Sequence, residues 1–100
     1  MDIEHLKTKK HPGDGKDLTQ LDYLIDDEKV RLKVGDTALT TLGVRDQNLA
    51  RTFRPLVSSI YAELNDQDAN LEEISIDSRG AEVGEGYIIY NFDQVKDKIN

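Results

Sequence analysis

The sequence contains no cysteine, no tryptophan and only one methionine. The absence of cysteine excludes a disulfide-stabilised scaffold and metal sites built on thiolates. No apolar run approaches the ~20 residues of a membrane-spanning helix, so we expect no membrane association. Basic residues are outnumbered, with 13 Lys and Arg against 20 Asp and Glu, for a net charge of −7. Because nucleic-acid binding relies on Lys and Arg to displace counterions, this balance argues against a nucleic-acid partner.

The N-terminal part differs in composition from the rest of the chain. Residues 1–17 contain few aliphatic side chains, four lysines and a run of Pro, Gly and Asp that favours turns. Burial of so few apolar groups does not offset the entropy cost of ordering the backbone, which predicts a flexible arm. Residues 18–100 fit the size of a single domain. Residues 1–10 lack the apolar stretch of a secretory leader, so a cytoplasmic location is the default expectation.

The acidic residues are concentrated in one segment. Residues 63–85 contain eight carboxylates and one basic residue, Arg79, and therefore carry a formal charge of −7. The remainder of the chain is neutral overall. Such a segment is either a solvated surface that keeps the protein soluble or a surface that binds a basic partner.

Alternation of apolar and polar residues predicts a β-hairpin early in the domain. A four-residue turn at residues 26–29 would pair Ile25 with Val30 and place Asp22 opposite Lys33. Six apolar side chains then share one face of the hairpin: Leu21, Tyr23, Ile25, Val30, Leu32 and Val34. Since side chains alternate with a period of two, the pattern itself indicates which face is buried.

Helical periodicity extends from residue 46 to residue 64. Its apolar stripe consists of Leu49, Phe53, Leu56, Val57, Ile60 and Leu64. Asp46 is the predicted N-cap, and Pro55 is expected to bend the helix; two shorter helices meeting at Pro55 are the alternative. Residues 36–44 stay open between a short helix capped by Asp36 and a strand favoured by three threonines.

Two strands and a short helix are predicted for the C-terminal part. Ile74 and Ile76 alternate with polar residues, whereas residues 87–92 are apolar on both faces, as in an internal strand. Asp93 is expected to cap the last helix. The predicted class is α+β, with a mostly antiparallel four-stranded sheet of two hairpins in the order ββαββ. One long helix packs across that sheet, and a short C-terminal helix follows.

No motif in the sequence predicts catalysis. The two histidines, His5 and His11, lie in the predicted flexible arm, where neither is held in position for acid–base chemistry. The segment that begins at Asp66 resembles the start of a calcium-binding loop, but its sixth position is Leu71 instead of glycine. We therefore expect a protein that is not an enzyme and that uses neither a metal nor a cofactor.

The favoured hypothesis is a non-catalytic module that binds a basic protein surface through the acidic segment 63–85. Carboxylates at the C-terminus of a helix are opposed by the helix dipole, and neighbouring carboxylates on a strand repel each other. Folding alone does not account for that arrangement. The predicted partner-binding residues are Glu63, Asp66, Asp68, Glu73 and Asp77, together with Arg51 and Arg54.

Two other functions are weighed against this hypothesis. The first is a structural subunit of a larger assembly, such as a phage or mobile-element particle, that uses the arm and the outer helix face. Small residues on that face allow close approach of a second copy, and self-association would involve Arg51, Pro55, Ser58 and Ala62. A small metal-dependent enzyme that uses acids of the segment 63–85 is ranked third.

Overall fold

The computed structural model describes residues 2–11, 18–65, 71–77 and 82–99. In these ranges six strands form one mixed sheet with the order β1-β2-β3-β4-β6-β5. The strands are β1 Ile3–His11, β2 Leu18–Ile25, β3 Glu28–Gly35, β4 Glu73–Asp77, β5 Glu82–Gly84 and β6 Tyr87–Asn91. The α-helices are α1 Asp36–Leu42, α2 Leu49–Asn65 and α3 Phe92–Val95, with 3-10 turns at Asp46–Asn48 and Lys96–Lys98.

The α+β class is confirmed, but the predicted four-stranded, mostly antiparallel sheet and the order ββαββ are wrong. β1, β2 and β3 form an antiparallel meander. The chain then passes through α1 and α2 before β4 pairs with β3 in parallel, and β6 pairs with β4 in parallel as well. A helical connection returns the chain to the end of the sheet at which β3 began, and this produces the parallel pairing.

The hairpin of β2 and β3 buries the face that the sequence predicts, but its two strands pair in a different register. Asp26 and Asp27 form a two-residue turn and adopt left-handed φ angles of 48° and 69°. Tyr23 therefore pairs with Val30, and Asp22 with Arg31, so the predicted four-residue turn and the pairing of Asp22 with Lys33 are wrong. Aspartate tolerates the left-handed conformation that tight hairpin turns require. The shift of two residues leaves all six predicted apolar side chains on one face, and all six are buried.

The N-terminal arm is the largest correction to the sequence analysis. Ile3–His11 form the edge strand β1, which pairs with β2 along its whole length and has an irregularity between His5 and Lys7. The expectation that this part of the chain contains no packed element is therefore wrong for residues 3–11. Residues 12–17 lie outside the described ranges. The pairing comes from the backbone, which is why the low apolar content of the arm did not reveal it.

The open assignment of residues 36–44 is resolved as the helix α1. Gly43 ends the helix with a φ of 65°, and its amide donates to the carbonyl of Leu39. The N-cap is Gly35, without a side-chain hydrogen bond, so Asp36 is the first helical residue and does not cap. The hydroxyl of Thr41 donates to the carbonyl of Thr37 at 2.9 Å, which satisfies this side chain within the helix.

The predicted apolar stripe of α2 is confirmed, since Leu49, Phe53 and Ile60 are among its buried side chains. The helix continues through the exposed Pro55, so two separate helices are excluded, while the bend at this residue stays a prediction. Asp46 is the first residue of the 3-10 turn that directly precedes α2, and its role as N-cap stays a prediction.

The C-terminal elements agree with the sequence analysis in type. β4 and the internal strand β6 are confirmed. The predicted cap Asp93 is wrong, because Asn91 caps α3 and forms a reciprocal capping box with Gln94. The Asn91 Oδ1 accepts a hydrogen bond from the backbone amide of Gln94, and the Gln94 Oε1 accepts one from the backbone amide of Asn91. Asp93 is the second residue of the helix.

One apolar cluster joins the helices to a single face of the sheet. Side chains such as Leu21, Leu32 and Ile74 meet Phe53 of α2 and Val95 of α3 in this cluster. We call this side of the sheet the covered face. None of the helices in the described ranges has the length and hydropathy needed to span a bilayer.

Candidate interaction surface

The opposite side of the sheet, which we call the open face, is covered by none of the described helices. On each strand it carries the residues that alternate with the buried apolar ones. Register places them in rows across the first three strands: Glu4, Leu24 and Lys29; Lys7, Asp22 and Arg31; Lys9, Gln20 and Lys33. Polar and charged side chains therefore dominate the open face on β1–β3 within the part of the chain that the structure describes.

Asp22 occupies the centre of these rows and is buried, with 0% of its surface exposed. The Arg31 Nε donates to its carboxylate at 3.2 Å, and the Lys7 Nζ lies 3.9 Å away. The side-chain amide of Gln20 donates to both Asp22 oxygens at 3.2 and 3.3 Å. A buried carboxylate needs such partners, and here they come from three adjacent strands, so Asp22 joins β1, β2 and β3 through side chains.

His11 extends this network at the end of β1. Its Nε2 donates to the Gln20 Oε1 at 2.9 Å, which orients the Gln20 amide group toward Asp22. The other histidine, His5, lies on the covered side, where its ring meets Tyr23 edge-on at 5.6 Å. Both histidines therefore belong to β1, and they contact different parts of the molecule.

The basic residues of the open face form a group of five: Lys7, Lys9, Lys29, Arg31 and Lys33. We call this group the basic strip. Within β1–β3 it is opposed on the same face by the carboxylates Glu4 and Asp22, which leaves a formal charge of +3 in a protein of net charge −7. Strand pairing thus concentrates positive charge on the β1–β3 part of the open face, although the sequence as a whole is acidic.

Three carboxylates lie beside the basic strip, and we call them the acidic rim: Glu72, Glu73 and Glu85. They line a shallow depression of about 500 Å³, together with Lys29, Arg31 and Tyr87. The Glu72 amide donates to the carbonyl of Gly86 at 2.8 Å, which brings the start of β4 to the β5–β6 turn. The Lys33 Nζ lies 3.0 Å from Glu73, while Glu72 and Glu85 are exposed.

The predicted acidic surface is distributed over both sides of the protein. Glu63 lies at the end of α2, in the helical layer, and is 4.0 Å from the Lys98 Nζ. Glu73 lies on the open face, and Asp77 follows on the same strand. Asp66 and Asp68 are outside the described residues. The structure therefore does not bring Glu63 together with Glu73, and each has a basic neighbour that is distant in sequence.

The predicted residues of the outer helix face have separate roles. Arg54 donates to the carbonyl of Ile3 at 2.6 Å and so connects α2 to β1. Arg51 and Pro55 are exposed, whereas Ser58 and Ala62 are half-buried. The pair Ser58 and Ala62 is thus partly used within the fold, and self-association through this face stays a prediction.

Three tyrosines have perturbed acidity. Burial raises the pKa of Tyr23, whose hydroxyl donates to the carbonyl of Ala50 at 2.8 Å. Burial also raises the pKa of Tyr61, and its hydrogen bond to the Glu28 carboxylate adds to the shift. Burial and, to a smaller extent, the charge of Glu63 raise the pKa of Tyr90. All three phenols are neutral near pH 7, which is consistent with structural roles.

Comparison of the chain with protein-family models, with curated proteins and with solved structures found no significant match. Within the described residues, no group of three His, Asp or Glu side chains is placed to hold a metal ion. The sequence alone does not predict the basic strip, because the composition of residues 1–17 predicts a flexible arm that contains Lys7 and Lys9. The available signal was the spacing of two between Lys7, Lys9 and His11, since it places three polar, nitrogen-bearing side chains on one face of a strand.

Proposed function

We propose that the protein is a non-catalytic interaction module that binds another protein through the open face of its sheet. The observation that supports this most directly is the one-sided architecture, in which the described helices contribute to a single apolar cluster and none of them packs on the other face. Oppositely charged groups lie side by side on that face. Adjacent charges of opposite sign favour a partner in one orientation and speed encounter, which is the role of electrostatic complementarity at interfaces.

The acidic rim belongs to the segment 63–85, and we propose that its carboxylates bind a Lys- and Arg-rich surface, as the sequence-based hypothesis states. Glu72 and Glu85 support it best, because both are exposed and line one depression. Glu73 contributes less, since Lys33 already neutralises part of its charge. Glu63 belongs to a different surface, so a partner that binds the rim does not reach it.

Affinity capture with variants of the two sides tests the proposed function. The bait is the full chain, and the open-face variant replaces Glu72 and Glu85 by Lys. The control replaces Asp93 and Asp97, which are exposed in the C-terminal helical turns, by Lys, with the same change in total charge. A protein retained by the wild type and the control but lost from the open-face variant supports the proposal. Equal retention by all three baits, or retention of nothing, contradicts it.

A separate variant tests the original set of acids. Replacing Asp66, Asp68 and Glu73 with Asn, Asn and Gln weakens binding and reduces its salt dependence if these residues contact the partner. Unchanged affinity together with unchanged salt dependence would mean that these three acids do not contact the partner and only keep the protein soluble.

A further inference from the structure

We propose that the basic strip on β1–β3 is a docking site for an acidic polypeptide segment. The inference rests on the proposed function, because it adds the chemistry of the partner for the other half of the open face. Two observations support it. Five cationic side chains lie on three adjacent strands, and ion pairs within the fold neutralise only some of them.

Internal ion pairs neutralise part of the strip and leave two lysines free of them. Arg31 and Lys7 share the buried Asp22 carboxylate, and Lys33 meets Glu73. Lys9 and Lys29 are exposed, and neither forms an ion pair with another described residue. These two ammonium groups are therefore available to carboxylates of a partner, while Asp22 holds the strands beneath them in register.

The size of the strip favours a polypeptide over a nucleic acid. Neighbouring strands lie about 4.8 Å apart, so three strands make a surface about 10 Å wide. An extended acidic segment fits that width. A DNA duplex carries one charge about every 1.7 Å along its axis, and beyond the strip its phosphates would meet the carboxylates of the acidic rim.

The composition of the edge strand also bears on how the segment docks. β1 presents Lys7 and Lys9 at the edge of the sheet, together with the irregularity before Lys7. Lysines and bulges at an edge discourage pairing between like strands, because they place like charges together. An acidic segment has the opposite charge and avoids this repulsion, whereas a second copy of β1 does not.

Fluorescence anisotropy with a short labelled poly-glutamate peptide tests the proposal. The variant Lys9→Glu with Lys29→Glu removes the two free cations and leaves the Asp22 network intact. The control Arg45→Glu with Lys96→Glu changes the total charge equally at exposed positions outside the sheet. We expect the strip variant to lose about tenfold or more in affinity and the control to stay within about twofold, with binding that weakens as salt rises. The variant Lys9→Arg with Lys29→Arg should bind like the wild type.

Several results would overturn the proposal. Equal affinity of the strip variant and the control would show that the peptide senses only net charge. Tighter binding of a DNA duplex than of the peptide, lost in the same strip variant, would assign the surface to nucleic acid. A salt-sensitive dimer in sedimentation that disappears in the strip variant would assign it to a second copy. If peptide binding fails while capture still depends on Glu72 and Glu85, this inference fails and the proposed function stands.

Discussion

The guanidinium of Arg54 donates a hydrogen bond to the main-chain carbonyl of Ile3 at 2.6 Å, and this contact joins the long helix to the edge strand. At the same end of β1, the amide of Asp26 donates to the carbonyl of Asp2 at 3.2 Å. The N-terminal strand is thus held both by its pairing with β2 and by a side chain from the helical layer. Since β1 supplies two cations of the basic strip, this attachment also positions the proposed docking site.

Replacing Arg54 with Met should loosen β1 without unfolding the protein. The variant keeps the aliphatic part of the side chain but removes the donor to Ile3. We expect faster amide exchange across residues 3–11, with a change in the free energy of unfolding below about 1 kcal/mol. Hydrogen–deuterium exchange measures this, with Arg51→Met as the matched control on the same helix. Exchange in β1 that is equally fast in the wild type would support the flexible arm of the sequence-based prediction.

Replacing Phe53 with Ala should be strongly destabilising. Phe53 has 0% of its surface exposed and lies in the apolar cluster between α2 and the sheet. Truncation of a fully buried aromatic side chain leaves a cavity, and the expected loss in the free energy of unfolding is about 3–5 kcal/mol. Denaturant unfolding provides the measurement, and Arg51→Ala should change stability by no more than about 0.5 kcal/mol. A loss below about 1 kcal/mol for Phe53→Ala would place the helix on a different face.

The faces of the elements could be predicted from the sequence, whereas their pairing partners could not. A two-residue error in the turn after Ile25 left every apolar side chain on the covered face, because strand side chains alternate with a period of two. The choice of turn depended on the left-handed backbone of Asp26 and Asp27, which apolar spacing does not report. The pairing of β1 depends on main-chain hydrogen bonds and on Arg54, and neither contributes to an apolar pattern.

The candidate site was predictable only in part for a related reason. Carboxylates are concentrated in residues 63–85 of the sequence, but the fold places Glu63 in the helical layer and Glu73 on the open face of the sheet. Glu63 meets Lys98, which is far away in the chain. Glu73 on β4 meets Lys33 on the neighbouring parallel strand β3. Long-range pairing of this kind determines which charges are neutralised, and a count of charges along the chain does not contain it.

Replacing Asp22 with Asn should destabilise the meander of β1–β3. The change removes a buried charge that accepts from Arg31 and Gln20 and leaves these donors with a weaker acceptor. We expect a loss of about 1–2 kcal/mol, which is moderate because Arg31 and Lys7 are partly solvated. Thermal or urea unfolding gives the value, with Glu4→Gln on the same face as the control. Equal stability of the two variants would mean that the Asp22 network does not hold the strands together.

Alkaline pH should reduce stability through Tyr23. Burial raises the pKa of Tyr23 in the folded state above the ordinary value of 10.0. A raised pKa favours the protonated phenol, so the stability it contributes is present below about pH 10 and is lost as pH rises further. Tyr23→Phe should cost about 1 kcal/mol near pH 8, through loss of the bond to Ala50, and should then lose less stability than the wild type on the alkaline side. Parallel stability curves for the two proteins would contradict this account.

The open face itself is tested most directly by amide chemical-shift mapping during titration with the poly-glutamate peptide. The account predicts shifts concentrated in β1 and β3, around Lys9 and Lys29, that are absent in the variant Lys9→Glu with Lys29→Glu. Residues of α2 on the opposite side, such as Arg51, should stay unchanged. Shifts centred on the helical layer, or no saturable shifts on the sheet, would contradict the claim that the open face is the interaction surface.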